Sequence, residues 1–180
     1  PVPGQKIDHK GLVINPAPHD IEVSDSKVLN IRRGLKLIDV KGKFKNDFGF
    51  AKIRRAGIDL KVDYGKKAAA KRGVKEVAGA YVLTINLDGV TITGYDERGA
   101  FYGIQTLRQM LETCGEDIEC CEIEDKPDMS YRGFYHDASR GRVPNLDGVF
   151  KMIDFLAYYK HNSYQLYIEH TFAFDEYKGI

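Results

Sequence analysis

The sequence lacks the marks of a metal, disulfide or membrane protein. Its three cysteines, Cys114, Cys120 and Cys121, form no C-x-x-C pair and have no histidine close by in sequence. Neighbouring strand residues point to opposite faces, so Cys120 and Cys121 are not expected to grip one metal ion. The odd count argues against a disulfide framework and leaves free, partly buried thiols as the expectation. No apolar run approaches the roughly 18 residues of a membrane span. No secretory leader is visible, and the chain opens with Pro rather than Met, as expected of a processed or excised segment. There is no internal repeat or low-complexity tract.

An excess of charge is missing too. Lys and Arg number 27 against 26 Asp and Glu, for a net charge of +1, so no global field draws the chain to nucleic acid or an anionic membrane. The charges are nevertheless unevenly spread. The stretch from Lys41 to Lys75 is basic, and Glu112 to Asp128 is acidic. Aromatic interleaving and recognition motifs are absent from the basic part. Two solvated faces are therefore the expectation, with no nucleic-acid partner.

What is present is enough for a core. The chain has 180 residues and 43% hydrophobic content, ordinary for a globular protein. Pro1 to Pro18 reads as an extended lead-in. Ile21 to Val23 and Val28 to Ile31 read as two short strands, and Leu35 to Val40 as another. Phe48, Ala51 and Ile53 predict a short helix ended by Gly57. Ile58 to Tyr64 alternates strictly and predicts a strand. Ala80 to Leu87, the turn Asp88-Gly89, and Val90 to Thr93 predict a hairpin with Tyr81, Leu83 and Ile85 on one face. Asp96 stands where a helix N-cap belongs. Phe101, Ile104, Leu107 and Leu111 then follow helical spacing. Glu119 to Ile123 closes the set as a last strand. This order predicts an α+β domain, a mixed sheet with helices on one face, over residues 1–125.

Asp125-Lys126-Pro127 punctuates the chain. Beyond it, Tyr131 to Tyr135 reads as a buried parallel strand. Pro144 and Asn145 precede a helix whose apolar stripe is Val149, Met152, Ile153, Leu156 and Ala157, and Tyr164 to Ile168 reads as a second strand. A β-α-β order implies a right-handed crossover. It looks like the opening unit of a (β/α)8 TIM barrel, which needs roughly 250 residues to close. Residues 126–180 are expected to be its truncated start.

Seven short stretches carry a family resemblance. Gly79-Ala80-Tyr81-Val82-Leu83-Thr84-Ile85, Gly89-Val90-Thr91-Ile92 and Asp96 to Leu107 resemble the domain preceding the catalytic barrel in glycoside hydrolase family 20, the β-N-acetylhexosaminidases. Ile123 to Pro127, Tyr131-Arg132-Gly133 and Asp137-Ala138-Ser139-Arg140 resemble the start of that barrel, and Lys160-His161-Asn162 the approach to its second strand. The resemblance implies retaining hydrolysis of terminal N-acetylhexosaminides in which the substrate's own acetamide is the nucleophile, an exception to the two-carboxylate scheme. An Asp orients the acetamide and a neighbouring Glu is acid, then base. In the family that pair follows the fourth strand, so no catalytic residue is assigned within this chain. The isolated chain is expected to be inactive. Asp175-Glu176 follows the second strand without the family's glycine-rich approach and reads as a solvated loop.

The resemblance implies a substrate role for Arg132, whose paired donors suit vicinal sugar hydroxyls; a structural ion pair at the barrel mouth is the competing reading. Asp137 and Arg140 follow the first strand on the side where barrel enzymes place their sites, and they can also pair with each other at i, i+3. Glu169 and His170 end the second strand on that same side. Here the sequence departs from the family's His-rich strand with two Asp, which leaves specificity open, another amino-sugar glycosidase included. Phe172 and Phe174 suit either sugar stacking or barrel packing. No metal or organic cofactor is implied. The expected partner is a glycan or amino-sugar substrate, with self-association through open barrel-strand edges, and the resemblance favours an extracellular or periplasmic location. The alternative from another class is a non-catalytic carbohydrate-binding or interaction module.

Overall fold

Alternating apolar residues build the sheet, and two polar side chains set its sharpest corners. The computed structural model describes residues 13–169 and Glu176, with Asp25 and Ser26 seen through their backbone only. Contacts divide the chain into two units between Asp128 and Met129.

The first unit holds a six-stranded mixed sheet in the order β1-β6-β4-β5-β3-β2. Its strands are β1 (Asp20–Asn30), β2 (Leu35–Asp39), β3 (Ile58–Tyr64), β4 (Tyr81–Asn86), β5 (Gly89–Gly94) and β6 (Asp117–Asp125). β1, β6, β4 and β5 pair antiparallel, whereas β5, β3 and β2 run parallel. The hairpin β4–β5 turns at Leu87-Asp88, where Asn86 Oδ1 accepts from the amides of Asp88 at 3.0 Å and Gly89 at 3.1 Å. Gly89 has φ 151, and a Cβ there would lie 2.4 Å from the carbonyl oxygen of Asp59. Only glycine lets β5 press so close to β3.

The long helix α2 (Glu97–Cys114) covers one face. Asp96 caps it, accepting from Gly99 N at 2.9 Å and from Gly79 N at 3.1 Å, the arrangement that satisfies a helix's orphan amides. Ile104, Leu107 and Met110 then pack into a core with Leu60, Val62, Tyr81, Leu83, Ile85, Ile92, Ile118 and Ile123. The N-terminal lead-in is tied to this helix. The Gln109 side-chain amide accepts from Asn15 N at 2.7 Å and donates to Asn15 O at 2.9 Å.

Four expectations are corrected here. Residues 20–30 form one strand rather than two, because a register slip between Val23 and Val28 lets both halves pair with β6. The slip falls opposite Cys120, and Cys120 and Cys121 both end up buried. No helix forms at Phe48 to Ile53. The edge of β2 captures that segment instead: Leu35 N donates to Lys52 O at 2.9 Å and Arg54 N to Leu35 O at 2.8 Å, with a parallel bridge at Ile53. The helices are not on one face. An unanticipated short helix, α1 (Lys66–Arg72), packs Ala69 against Val82 in a second small cluster, and Val82 points away from the Tyr81 and Leu83 side chains that meet α2. The fourth correction concerns the aromatic strand of the second unit.

That unit contains β7 (Gly133–Asp137), α3 (Leu146–Tyr158) and β8 (Ser163–Tyr167). The two strands pair parallel from Gly133↔Ser163 to Asp137↔Tyr167. Asn145 caps α3, accepting from Gly148 N at 2.8 Å. Tyr131, Phe134 and Tyr135 are exposed rather than buried, as are Ile153 and Leu166, since a two-stranded sheet offers little to bury them. Among the described residues no helix is long and apolar enough to cross a membrane.

Candidate functional site

A polar cluster of the second unit lies at the C-terminal ends of its strands. β7 ends in Asp137, and the chain turns tightly over that carboxylate. Asp137 Oδ1 accepts from Ser139 N at 2.9 Å, Ser139 Oγ at 2.7 Å and Arg140 N at 3.1 Å. Its Oδ2 takes Arg140 Nη1 at 2.8 Å, so the i, i+3 pair read from the sequence exists. The serine hydroxyl and the arginine hold this carboxyl well below the usual carboxylate range. Asp137 is therefore an ionised hydrogen-bond acceptor and not a proton donor.

Parallel register brings the end of β8 alongside. Ala138 N donates to Tyr167 O at 2.8 Å. Glu169 Oε2 then lies 3.3 Å from Ser139 Oγ and 3.7 Å from Arg140 Nη2, on a backbone of φ 38. Two carboxylates thus share one guanidinium and one hydroxyl. The Arg140 guanidinium also lies over the Tyr167 ring, 5.4 Å from its centroid. Tyr135 and Tyr167 sit 5.8 Å apart on the same side. Sequence reading passed over this tyrosine pair, although Tyr135/Asp137 and Tyr167/Glu169 stand at i, i+2, the spacing that puts residues on one face of a strand.

Arg132 is placed elsewhere. It precedes β7, so the strand separates it from Asp137. Its Nε donates to Lys160 O at 2.9 Å and its Nη1 to Met129 O at 2.5 Å. Its backbone N donates to Asn162 Oδ1 at 2.8 Å. The structure therefore joins Asp137 to Glu169 and leaves Arg132 at the opposite end of β7. His170, Phe172, Phe174 and Asp175 lie outside the described residues, and Glu176 is exposed. Among the described residues no group of three or more His, Cys, Asp and Glu is arranged to hold a metal ion.

Residues 12–126 match the model of glycosyl hydrolase family 20, domain 2. The chain belongs to that family. Family 20 membership accounts for the mixed sheet with its helices, the coarse fold expected from the sequence. Among curated relatives, the beta-hexosaminidase of Vibrio vulnificus is 27% identical over 156 residues, covering 86% of this chain and 18% of that protein. The beta-hexosaminidase of Akkermansia muciniphila is 36% identical over 92 residues, 49% of this chain and 18% of that protein. A mutant beta-hexosaminidase of Streptomyces plicatus, solved with its product GlcNAc, superposes with a TM-score of 0.67 at 25% identity, over 86% of this chain and 34% of that one. The chain thus spans less than a fifth of the length of the curated relatives named.

Proposed function

We propose that this chain is part of an exo-acting glycoside hydrolase that removes terminal N-acetylhexosamine residues from glycans. In this reading residues 1–125 are the accessory domain and residues 126–180 begin the catalytic (β/α)8 barrel. The order of parts carries it: a family 20 domain 2 runs directly into a parallel strand-helix-strand unit. The product sugar held by the Streptomyces plicatus relative supports the choice of substrate class.

The chemistry proposed is substrate-assisted. The acetamide oxygen attacks the anomeric carbon and the glycosidic bond breaks. A carboxylic acid protonates the leaving oxygen, and water then opens the cyclic intermediate with net retention. The Asp-Glu pair for these steps belongs to the parent protein beyond this chain. Asp137 and Glu169 suit a different task, accepting hydrogen bonds from sugar hydroxyls while Arg140 balances their charge. Tyr135 and Tyr167 offer ring faces to the apolar side of a pyranose. For Arg132 to reach a sugar, its guanidinium must release the carbonyls of Met129 and Lys160. His170 completes the proposed set by its position in the sequence.

The test uses the full-length parent enzyme and a chromogenic N-acetyl-β-glucosaminide. The first-formed sugar should keep its anomeric configuration by NMR. Replacing the acetamide by its trifluoro analogue should slow turnover sharply, because the carbonyl oxygen becomes a poorer nucleophile. Arg132→Ala should lower kcat/KM by roughly 2–4 kcal/mol, and Arg98→Ala, at the start of α2, by much less. Inversion, or indifference to fluorination, would sink the mechanism. A parent without turnover that still binds the sugar would favour a carbohydrate-binding module.

A further inference from the structure

The first unit separates its charges across the sheet. Between Arg32 and Lys75 there are fifteen Lys and Arg against four Asp and Glu; all but Arg32, Arg33 and Lys75 lie in β2, β3, the crossover between them, or α1. β2, β3 and their crossover occupy one flank of the sheet, and α1 lies over its outer face, where Arg72 comes within 3.8 Å of Glu122. The acidic residues of β6 occupy the other flank, three strands away from β3.

Three of the four acids of the basic flank are already used locally, and the fourth is half-buried. Asp39 accepts from the amides of Gly42 at 3.0 Å and Phe44 at 2.6 Å, and Asp63 from Tyr64 N at 2.8 Å. Asp59 pairs with Lys36 at 3.2 Å. Asp47 is half-buried, and its burial pushes its carboxyl up. Among the described residues, Arg54, Arg55, Lys61, Lys66, Lys67 and Lys71 are exposed and make no ion pair. Lys61 points away from the core, since Leu60 and Val62 beside it are fully buried. The α1 helix lies on that same outer face, where Arg72 bonds Thr84 Oγ1. Unpaired like charges so close together repel one another and destabilise the fold.

We propose that this basic flank docks a polyanionic polysaccharide, a glycan bearing carboxylate or sulfate groups at regular intervals along its chain. The row of cations matches repeated anions and offers nothing to a neutral sugar. Nucleic acid is disfavoured because the flank has no free aromatic platform on which bases could stack; its Tyr64 ring is covered by Lys41 Nζ, 4.1 Å from the centroid. A membrane surface is disfavoured because the exposed side of α1 carries only Lys, Arg and Ala, with no apolar residue to insert.

Binding by the 180-residue chain to heparin, polygalacturonate, a neutral chitin oligosaccharide, duplex DNA and phosphatidylglycerol vesicles tests this without reference to turnover. Heparin or polygalacturonate should bind, losing about tenfold or more in affinity between about 50 and 200 mM salt, and the neutral oligosaccharide should not respond to salt. The triple variant Lys66→Glu/Lys67→Glu/Lys71→Glu should abolish binding. The triple variant Arg98→Glu/Arg142→Glu/Lys151→Glu changes net charge equally and should lose no more than about twofold. Lys36→Gln/Lys61→Gln, which spares α1, should weaken binding at least fivefold and guards against misfolding of the first variant. Equal losses in the two triple variants would overturn the proposal, as would tighter binding to DNA or vesicles than to either polysaccharide.

Discussion

Gly99→Ala should cost the first unit far more than a methyl group suggests. A Cβ at residue 99 would lie 2.1 Å from the carbonyl oxygen of Ala80, on backbone that cannot swing aside. Relief needs α2 to retreat by about 1 Å, and gaps of that size forfeit a quarter to a half of each dispersion contact. Ile104, Leu107 and Met110 all lose contact with the sheet in that movement. Overpacking of this kind costs about 1–3 kcal/mol. Displacing the Asp96 cap adds about 1 kcal/mol, and the better helix propensity of alanine returns less than about 1 kcal/mol. The net loss is about 2–4 kcal/mol, roughly 10 °C in Tm. Two controls sharpen the reasoning. Gly103→Ala meets side chains rather than backbone, Ile92 Cγ2 at 2.6 Å and the buried Tyr81 ring at 3.1 Å, and should cost about 1–3 kcal/mol. Gly73→Ala meets nothing within 4 Å at φ 70 and ψ 18, so the left-handed backbone alone sets its cost of about 1 kcal/mol. Urea unfolding followed by circular dichroism gives the ranking. If Gly99→Ala proves no worse than Gly73→Ala, the close docking of α2 on the sheet is not what stabilises this unit.

Three further outcomes are expected. The 180-residue chain should show no hexosaminidase activity; turnover by rigorously purified chain that disappears on changing Asp175 or Glu176 would refute this. His19 Nδ1 and Nε2 lie 3.0 Å from Asp125 and 2.8 Å from Asp128, and those carboxylates hold its pKa above the ordinary 6.5. A raised pKa means that the clamp's stabilisation is complete below about pH 6.5 and is lost as pH rises through the higher folded value, so wild type should exceed His19→Gln by more at about pH 6 than at about pH 9 in thermal melts. Hydrogen exchange should protect amides of Tyr81 to Ile92 more than those of Tyr164 to Ile168 in dilute monomer; equal protection would mean that the second unit has a complete core of its own.

What the sequence revealed was mostly local. The β4–β5 hairpin, the Asp96 cap and the apolar stripe of α2 are each written within a few neighbouring residues. The segment at Phe48 to Ile53 misled because its backbone partner, Leu35, lies far away in sequence. The α1 helix has no apolar stripe and buries only Ala69, so periodicity had nothing to detect. The site divides in the same way. Asp137 and Arg140 were readable as an i, i+3 pair, whereas the approach of Glu169 depends on the register of two strands separated by α3. Tyr135 was read as part of a buried strand and Tyr167 was passed over, because a strand's pattern does not say which of its faces will be covered.

The pairing of the first strand with the last has a consequence during synthesis. β1 touches no other strand of the sheet except β6 as a hydrogen-bonded partner, and its register runs from Asp20↔Glu124 to Asn30↔Asp117. A ribosome adding 5–20 residues per second takes on the order of 5–20 s to travel from Asn30 to Asp125. Throughout that interval Ile21, Val23, Val28 and Leu29 emerge with no strand to receive them, while the β4–β5 hairpin can already close. The nascent chain therefore carries an orphan apolar segment, a natural stop for chaperones, and the domain seals only when its final strand leaves the exit tunnel.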